Sequence, residues 1–460
     1  MKSYEQYKRI VRFLSGAVLL LIEMGLYWFT WVHYYNNLME VPYNRTGHWL
    51  IVAVYGLLLL VFGRLYGGLK IGYLKTANMI YSQILATLCA NIMIYLQITL
   101  LTKVFQNILP LIYMTLGDIL IISLWSWLFN LIYRKIYPPR NVLLIYGEHP
   151  VVSLMGKLHS RTDRFIVGEV AHISLGFNAL QEKICNYEGV LICDVPSTLR
   201  NQLLKFCYKK SIRVYATPKI SDIIIRSAES FHMFDTPLML CRNSGLAFEQ
   251  QVVKRGMDIL LSFIALVVLS PIFLITAIAI KIYDHGPVFY YQERCTKDGQ
   301  VFSICKFRSM VVNAEQNGQS IPAIEGDPRI TPVGNIIRAM RIDELPQLFN
   351  ILKGEMSLVG PRPERIEHVE MYSKEIPEFE YRMKVKGGLT GYAQVYGKYN
   401  TTAYDKLKLD LMYIQNYSLW LDIEIIFKTV KILFMKESTE GFTEEASRGL
   451  HEAACSRKER

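Results

Sequence analysis

The chain has 460 residues, a formal net charge of +11 and 51% hydrophobic residues. This length suggests several structural units, and the apolar content is high for a soluble protein of this size. Eight scattered cysteines form no CxxC pair, which excludes a zinc-finger spacing and a dense disulfide framework. Because long apolar runs accompany the positive charge, we attribute that charge to contacts with anionic lipids and phosphates, and we expect no nucleic acid partner.

Four long apolar runs open the chain and predict four transmembrane helices. They cover roughly 11–34, 49–66, 79–101 and 109–133, and each approaches the ~20 residues that cross ~30 Å of hydrocarbon. Acidic residues interrupt them only at Glu23 and Asp118. The segments that flank these runs alternate between rich and poor in lysine and arginine. The positive-inside rule therefore places the N-terminus and everything after residue 134 in the cytoplasm, and 1–138 forms the membrane region.

Short apolar runs then alternate with helical patterns between residues 139 and 245. Strands are predicted at 141–146, 189–193 and 212–216, and a helix at 197–209. We therefore predict a small Rossmann-like α/β domain over 139–245. Its first loop reads Gly147-Glu148-His149-Pro150 and lacks the GxGxxG that would hold a pyrophosphate. This favours a scaffolding or regulatory domain, and it weighs against a dehydratase or epimerase that modifies nucleotide-sugars.

The apolar stretch 252–282 contains Ser270-Pro271 near its middle. Proline removes a backbone donor and kinks or breaks a helix, and the freed backbone groups need partners that Ser270 can help to supply. Lys254 and Arg255 lie at one end and Lys281 at the other. We predict a re-entrant helix–break–helix hairpin, with Lys254 and Arg255 at the lipid headgroups. A proline-kinked fifth span remains the alternative. Residues 250–436 form one mixed region, and the polar residues 437–460 predict a flexible tail.

Adjacent carboxylates mark the segment from Arg338 to Gly354. A short helix is predicted at 345–353, with Pro346 in its first turn and Gly354 at its end. Asp343 and Glu344 then lie at a helix N-terminus, which favours anions. A carboxylate nucleophile, a second carboxylate and nearby arginines suit phosphoryl transfer. On this spacing alone, a simple helix cap is the alternative.

Further motifs surround this dyad in a fixed order. They are Gly286-Pro287-Val288-Phe289-Tyr290, Lys306-Phe307-Arg308-Ser309-Met310, Arg341-Ile342-Asp343-Glu344-Leu345-Pro346-Gln347, Val359-Gly360-Pro361-Arg362-Pro363, Lys386-Gly387-Gly388-Leu389-Thr390-Gly391 and Trp420-Leu421-Asp422-Ile423. With these motifs, the region from about Lys254 to Phe434 closely resembles the catalytic domain of the bacterial sugar transferase family, the monotopic polyprenyl-phosphate phosphoglycosyl transferases. The upstream spans and the α/β domain resemble the large, polymer-initiating subclass.

The resemblance implies a ping-pong transfer of a hexose-1-phosphate from a UDP-sugar to undecaprenyl phosphate, with release of UMP. Asp343 would be the nucleophile and Glu344 its dyad partner, and both would contact Mg²⁺. Such an enzyme starts exopolysaccharide, capsule or O-antigen synthesis at the bacterial inner membrane, and a homodimer remains open. The rival hypothesis is a catalytically silent membrane scaffold. The implied substrate contacts are Lys306, Arg308, Arg338, Arg362, Gly388, Gly391 and Asp422, and Lys254, Arg255, Ser270 and Pro271 would face lipid.

Overall fold

The computed structural model describes residues 6–147, 152–159, 161–241, 245–312, 314, 327–397 and 401–433. The predicted tail at 437–460 and the loop after Gly147 lie outside the described residues. The chain forms two compact units that divide between Lys219 and Ile220. Five helices among the described residues are long and apolar enough to cross a membrane, which agrees with a membrane-associated protein.

Four of these helices open the first unit, at the positions that the apolar runs predict. Their outward faces carry exposed leucine, isoleucine and aromatic side chains. Where the helices meet, Tyr27, Trp31, Tyr55 and Ile94 are fully buried in one cluster. The four helices therefore each bury one face against the others, and their outer faces remain apolar. The helices are α1 (Lys8–Thr30), α2 (Arg45–Tyr66), α3 (Thr76–Thr102) and α4 (Leu109–Ile136).

A four-stranded parallel sheet follows in the same unit, with the strand order β2-β1-β3-β4. The predicted strands β1, β3 and β4 and the predicted helix α7 are confirmed. Strand β2 lies at the sheet edge and is missed because the exposed Gly168 and the half-buried Glu169 interrupt its apolar pattern. The elements are β1 (Arg140–Tyr146), α5 (Val152–His159), β2 (Phe165–His172), α6 (Gly176–Ile184), β3 (Gly189–Cys193), α7 (Ser197–Lys209) and β4 (Arg213–Ala216).

The second unit begins earlier than the sequence suggests, at Ile220 instead of about 250. The reason is that Ile220 and Ile223 pack into the same core as Phe379, Leu407 and Ile425. The helix that carries them therefore belongs to the second unit and not to the α/β domain. The elements before the long helix are α8 (Ile220–Arg226), β5 (Glu229–Met233) and β6 (Thr236–Leu240).

The long helix α9 (Phe248–Asp284) runs without interruption through Pro271, so the predicted helix–break–helix is wrong in this respect. Pro271 cannot donate to the carbonyl four residues earlier, which belongs to Val267. The Ser270 hydroxyl donates to this carbonyl oxygen at 2.8 Å instead. A side chain thus replaces the missing backbone hydrogen bond, and the helix continues.

The rest of the second unit packs along α9. Lys254 and Ile280, near its two ends, are both buried, and Leu266 near its middle packs against a cluster that contains Ile304 and Leu348. The remaining elements are β7 (Phe289–Cys295), β8 (Val301–Phe307), α10 (Pro332–Ala339), α11 (Gln347–Lys353), β9 (Ser357–Val359), α12 (Ile366–Glu375), β10 (Gly388–Thr390), α13 (Tyr392–Tyr396), α14 (Ala403–Gln415) and α15 (Leu419–Leu433).

Candidate active site

The carboxylate dyad lies on a tight connection between α10 and α11. Arg341 has a left-handed backbone at φ +54, which turns the chain into the 3₁₀ turn Ile342–Glu344. Helix α11 then begins at Gln347, two residues after the predicted start, and ends at Gly354 with φ +92, as predicted. Glycine meets no steric penalty in that conformation. The turn therefore holds Asp343 and Glu344 just before a helix N-terminus.

Glu344 is surrounded by cations. Its Oε1 lies 2.6 Å from Nη2 of Arg362 and 3.5 Å from Nζ of Lys306, and its Oε2 lies 3.9 Å from Nη1 of Arg341. Burial alone would raise the pKa of Glu344, but Arg362 and Lys306 hold that pKa well below its usual range. Glu344 therefore stays ionised, and its partners restrict its movement.

Asp343 has the opposite environment. Its carboxylate makes no hydrogen bond or ion pair in the part of the chain that the structure describes. Burial and the neighbouring charge of Glu344 raise the pKa of Asp343 to about 6, although Lys306 and Arg338 pull this pKa down. A carboxylate without a partner, near several cations, is free to attack an electrophile or to bind a metal. Of the two adjacent acids, Asp343 therefore has a free carboxylate, and Glu344 has a carboxylate that cations hold in place.

A small recess opens beside the dyad. The predicted residues Lys306, Arg362 and Gly388 line it, together with Arg294 and Gln347. Burial and, to a smaller extent, the charge of Arg362 lower the pKa of Arg294 to about 10. Such a recess suits an anionic ligand such as a diphosphate.

Sequence reasoning missed Arg294 and Gln347 as site residues. Gln347 is 2% exposed, and its Nε2 has no hydrogen-bond partner. A buried amide donor without a partner is costly unless a ligand or water pairs with it. The available signal was the position of Gln347 in the dyad motif itself, four residues after Asp343.

Buried ion pairs support the loop that carries Arg362. Arg382 is 3% exposed and donates through Nη2 to the carbonyl oxygen of Arg362 at 3.0 Å. The same guanidinium pairs with Asp410 at 2.8 Å and with Glu364 at 3.4 Å. Arg294 donates to the carbonyl oxygen of Pro363 at 3.1 Å. These contacts fix the backbone of Arg362, so its side chain reaches Glu344 from a rigid support.

Three predicted contacts lie elsewhere and are corrected. Lys254, expected at lipid headgroups, is 6% exposed, and its Nζ lies 2.5 Å from Oδ2 of Asp422. Asp422, expected at the substrate, is fully buried and also accepts a hydrogen bond from the Tyr413 hydroxyl at 2.7 Å. Arg255 donates to the carbonyl oxygens of Ile351 and Leu352 at the end of α11. These charges are paired because an isolated charge inside a protein is costly.

Arg308 and Gly391 are also placed away from the recess. Arg308 forms a buried ion pair with Asp284 at the end of α9. A Cβ at Gly391 would lie 2.1 Å from the carbonyl oxygen of Gly360, so this glycine permits close packing of two backbone segments. A Cβ at Gly388 would likewise lie 2.1 Å from the Gly360 nitrogen. For Gly388, the packing role coincides with its position in the recess.

The oxygen ligands available for a metal here are the carboxylates of Asp343 and Glu344. Among the described residues, no group of three or more His, Cys, Asp or Glu side chains could hold a metal ion. Mg²⁺ commonly binds one or two carboxylates together with substrate phosphates and water. The free carboxylate of Asp343 fits this pattern, with Glu344 as a neighbour that is already partly neutralised. The residues present therefore fit an ion that is bound together with a phosphorylated substrate.

Comparison with known proteins identifies the second unit. The family described as "Bacterial sugar transferase" matches residues 249–436. A UDP-N-acetylgalactosamine-undecaprenyl-phosphate N-acetylgalactosaminephosphotransferase of Aeromonas hydrophila is 44% identical over 236 residues, which are 50% of this chain and 55% of the relative. A UDP-glucose:undecaprenyl-phosphate glucose-1-phosphate transferase of Escherichia coli (strain K12) is 41% identical over 203 residues, 43% of this chain and 42% of the relative.

The chain thus spans about half the length of these curated relatives. A shorter relative is covered more completely. The exopolysaccharide production protein ExoY of Sinorhizobium fredii is 38% identical over 193 residues, which are 39% of this chain and 84% of the relative. The family match over residues 249–436 contains α9 apart from its first residue, the dyad and every residue of the recess. The chain belongs to the bacterial sugar transferase family.

Proposed function

We propose that this protein transfers a sugar-1-phosphate from a UDP-sugar to undecaprenyl phosphate and releases UMP, as the first step of exopolysaccharide, capsule or O-antigen synthesis. The observation that carries the proposal is the free carboxylate of Asp343 next to the cations of the recess. Relatives named as undecaprenyl-phosphate sugar phosphotransferases support the same reaction.

Asp343 attacks the β-phosphorus of the UDP-sugar in the first half-reaction. The bond from that phosphorus to the bridging oxygen breaks, UMP leaves, and an aspartyl phosphosugar remains. An oxygen of undecaprenyl phosphate then attacks the same phosphorus and frees the Asp343 carboxylate. Asp343 suits this role better than Glu344 because Glu344 is held by Arg362 and Lys306. A fixed, ion-paired carboxylate is a poor nucleophile.

The cations of the recess stabilise charge that develops during both steps. Lys306 and Arg362 face the dyad, and the Arg338 side chain makes no hydrogen bond or ion pair among the described residues, so its guanidinium can reach a phosphate oxygen. Mg²⁺ bound by Asp343 and Glu344 would offset the negative charge of the diphosphate. Gln347 adds a neutral donor at the floor of the recess. Preorganised donors of this kind need no rearrangement when charge builds up.

The acceptor is a lipid, so the active site must lie at a membrane surface. Helix α9 suits a re-entrant arrangement because its contacts with the second unit run along its whole length. Lys254 pairs with Asp422 near one end, and Ile280 packs against Phe307 near the other. The opposite face is apolar and exposed, including Val268 at 68% and Ile275 at 67%. These contacts hold both ends of α9 against the same unit, and we propose that this unit lies at the cytoplasmic face of the inner membrane.

The test is UMP release by the full chain in nanodiscs with Mg²⁺, undecaprenyl phosphate and a panel of UDP-sugars. We expect release with one donor from the native chain and none from Asp343→Asn. Glu367→Gln, an exposed acid on α12, is the matched control and should retain activity. UMP release unaffected by Asp343→Asn would move the nucleophile elsewhere. No release with any donor sugar would favour the catalytically silent scaffold.

A further inference from the structure

The interior of the α1–α4 bundle contains an acid that nothing in the bundle neutralises. Asp118 on α4 is fully buried, and neither of its carboxylate oxygens has a hydrogen-bond partner. Glu23 on α1 is 5% exposed and close enough to interact electrostatically with Asp118. Buried carboxylates are costly in an apolar medium, and inside a membrane helix bundle they commonly mark a functional site.

Polar groups from the other two helices converge on this pair. The Thr87 hydroxyl on α3 donates to Oε1 of Glu23 at 3.2 Å. The Tyr55 hydroxyl on α2 donates to Oδ1 of Asn91 at 2.9 Å, and both side chains adjoin Asp118. All four helices therefore contribute an oxygen to one small region of the bundle interior.

A second buried group points to a missing ligand. The Tyr27 hydroxyl is fully buried and also lacks a hydrogen-bond partner. Its ring lies 4.5 Å from the ring of Tyr55, centroid to centroid, so it belongs to the same region. Orphaned polar atoms on two helices are expected where a ligand completes the contacts.

No lysine or arginine of the four helices can supply the counter-charge. Arg12 is eleven residues from Glu23 along α1, about 16 Å at 1.5 Å per residue, and Arg134 is sixteen residues from Asp118 along α4, about 24 Å. Helix α3 carries no basic residue between Thr76 and Thr102, and the two arginines of α2, Arg45 and Arg64, are both exposed near its ends. An ionised carboxylate in this pair therefore needs a counter-charge that the described helices do not provide.

We propose that Glu23 and Asp118 bind a small monovalent cation, Na⁺, inside the membrane bundle. The donors are all oxygens from carboxylate, amide and hydroxyl groups, which suit hard cations. One ionised and one protonated carboxyl carry a single negative charge, which one Na⁺ balances. A divalent ion such as Ca²⁺ prefers six to eight oxygen ligands and more carboxylates than these two. This site is separate from the transferase dyad and does not rest on the proposed reaction.

The first test is the thermal unfolding of the full chain in nanodiscs while Na⁺ replaces choline at constant ionic strength. We expect Na⁺ to raise the Tm by roughly 5 °C, because a ligand that binds only the folded state stabilises it. Asp118→Asn and Glu23→Gln should remove this dependence. Glu40→Gln, an exposed acid in the α1–α2 connection, should keep it. Equal Tm values in Na⁺ and choline for the native chain would overturn the proposal, and a shift only with Ca²⁺ would overturn its monovalent assignment.

The second test is labelling by dicyclohexylcarbodiimide, which adds to protonated carboxyls in apolar surroundings and rearranges to a stable N-acylurea. Mass spectrometry of peptides locates the label. We expect labelling at Glu23 or Asp118 in choline and protection by Na⁺. Labelling that Na⁺ does not change would show that the pair binds only protons, and the cation site would be rejected even if a variant happened to fold poorly.

Discussion

Asp343 and Glu344 are adjacent in sequence, but only Glu344 is held by ion pairs. Asp343 is free and its pKa is raised to about 6 by burial and by Glu344, whereas Arg362 and Lys306 keep Glu344 ionised. A carboxylate is nucleophilic only when ionised. We therefore expect kcat/KM to fall as the pH drops through about 6. An ordinary aspartate would hold its charge down to about pH 4. The measurement is the rate of UMP release across this range.

The variant Glu344→Gln tests whether Glu344 raises the pKa of Asp343. Glu344→Gln removes the negative charge that raises the pKa of Asp343 and leaves Lys306 and Arg362 facing it. The fall of the residual kcat/KM on the acid side of its pH profile, the acid limb, should therefore move to lower pH. Glu367→Gln on α12 should leave the limb in place. A native acid limb near pH 4, or one that does not move with Glu344→Gln, would contradict the assigned environment of Asp343.

Gln347 offers a second prediction at the scale of one side chain. Its Nε2 is buried without a partner at the floor of the recess. If this donor pairs with the phosphoryl group, Gln347→Leu removes transition-state stabilisation and lowers kcat by about 10²-fold. KM for the UDP-sugar should change little. Gln300→Leu, an exposed glutamine in the β7–β8 connection, is the control. A fall in Tm without a change in kcat would make Gln347 a packing residue.

The residue types of the site were predictable, and several partners were not. Asp343, Glu344, Lys306 and Arg362 are brought together because they stand in short motifs whose chemistry is visible in the sequence. Lys254 and Asp422 are 168 residues apart, and no local sequence pattern predicts that they pair. A charge at the end of an apolar run predicts a headgroup contact, but tertiary packing can bury and neutralise the same charge.

At the scale of elements, the Lys254–Asp422 pair attaches α9 to α15. The two side chains are 7% and 0% exposed. Removing one partner leaves a buried charge uncompensated, so we expect Lys254→Met alone to lower the free energy of unfolding by about 3–5 kcal/mol. The double variant with Asp422→Asn should recover most of this loss, and it keeps an acceptor for the Tyr413 hydroxyl. Denaturant unfolding measures both.

The same variants distinguish a structural pair from a lipid contact. If the pair only joins helices, the double variant should keep the KM for undecaprenyl phosphate. A raised KM in a double variant of native stability would instead place Lys254 at the acceptor site. Lys297→Met, which breaks an exposed pair with Asp298, should change the free energy of unfolding by less than about 0.5 kcal/mol.

Helix α9 also shows a feature of secondary structure that the sequence pattern does not predict. The apolar run and Pro271 are plain in the sequence, and they predict a break. The hydrogen bond from Ser270 to the Val267 carbonyl restores what proline removes, so the helix continues. Similarly, β2 was missed because its exposed edge residues obscure the apolar pattern. In both cases the outcome depends on one local contact or on a position in the sheet, which hydrophobic periodicity does not encode.

At the scale of the whole molecule, the proposed membrane arrangement rests on a difference in packing between two kinds of helix. Helices α1–α4 bury their faces against one another, as spanning helices of a bundle do. Helix α9 buries its face against the second unit from Lys254 to Ile280. A chain that used α9 as a fifth span would place residues 285–433 on the face opposite to the nucleotide-sugar pool. The proposed reaction requires the re-entrant alternative.

Cysteine labelling tests this arrangement directly. In a variant without native cysteines, Cys241 restored before α9 and Gln300→Cys after it should react with a membrane-impermeant maleimide from the same side, in inverted vesicles only. Glu40→Cys, in the α1–α2 connection, should react from the opposite side, in intact spheroplasts, because one spanning helix separates it from the N-terminal face. If Gln300→Cys labelled together with Glu40→Cys and apart from Cys241, α9 would be a fifth span. The catalytic unit would then lie on the membrane face opposite to its nucleotide-sugar, and this result would contradict the proposed function.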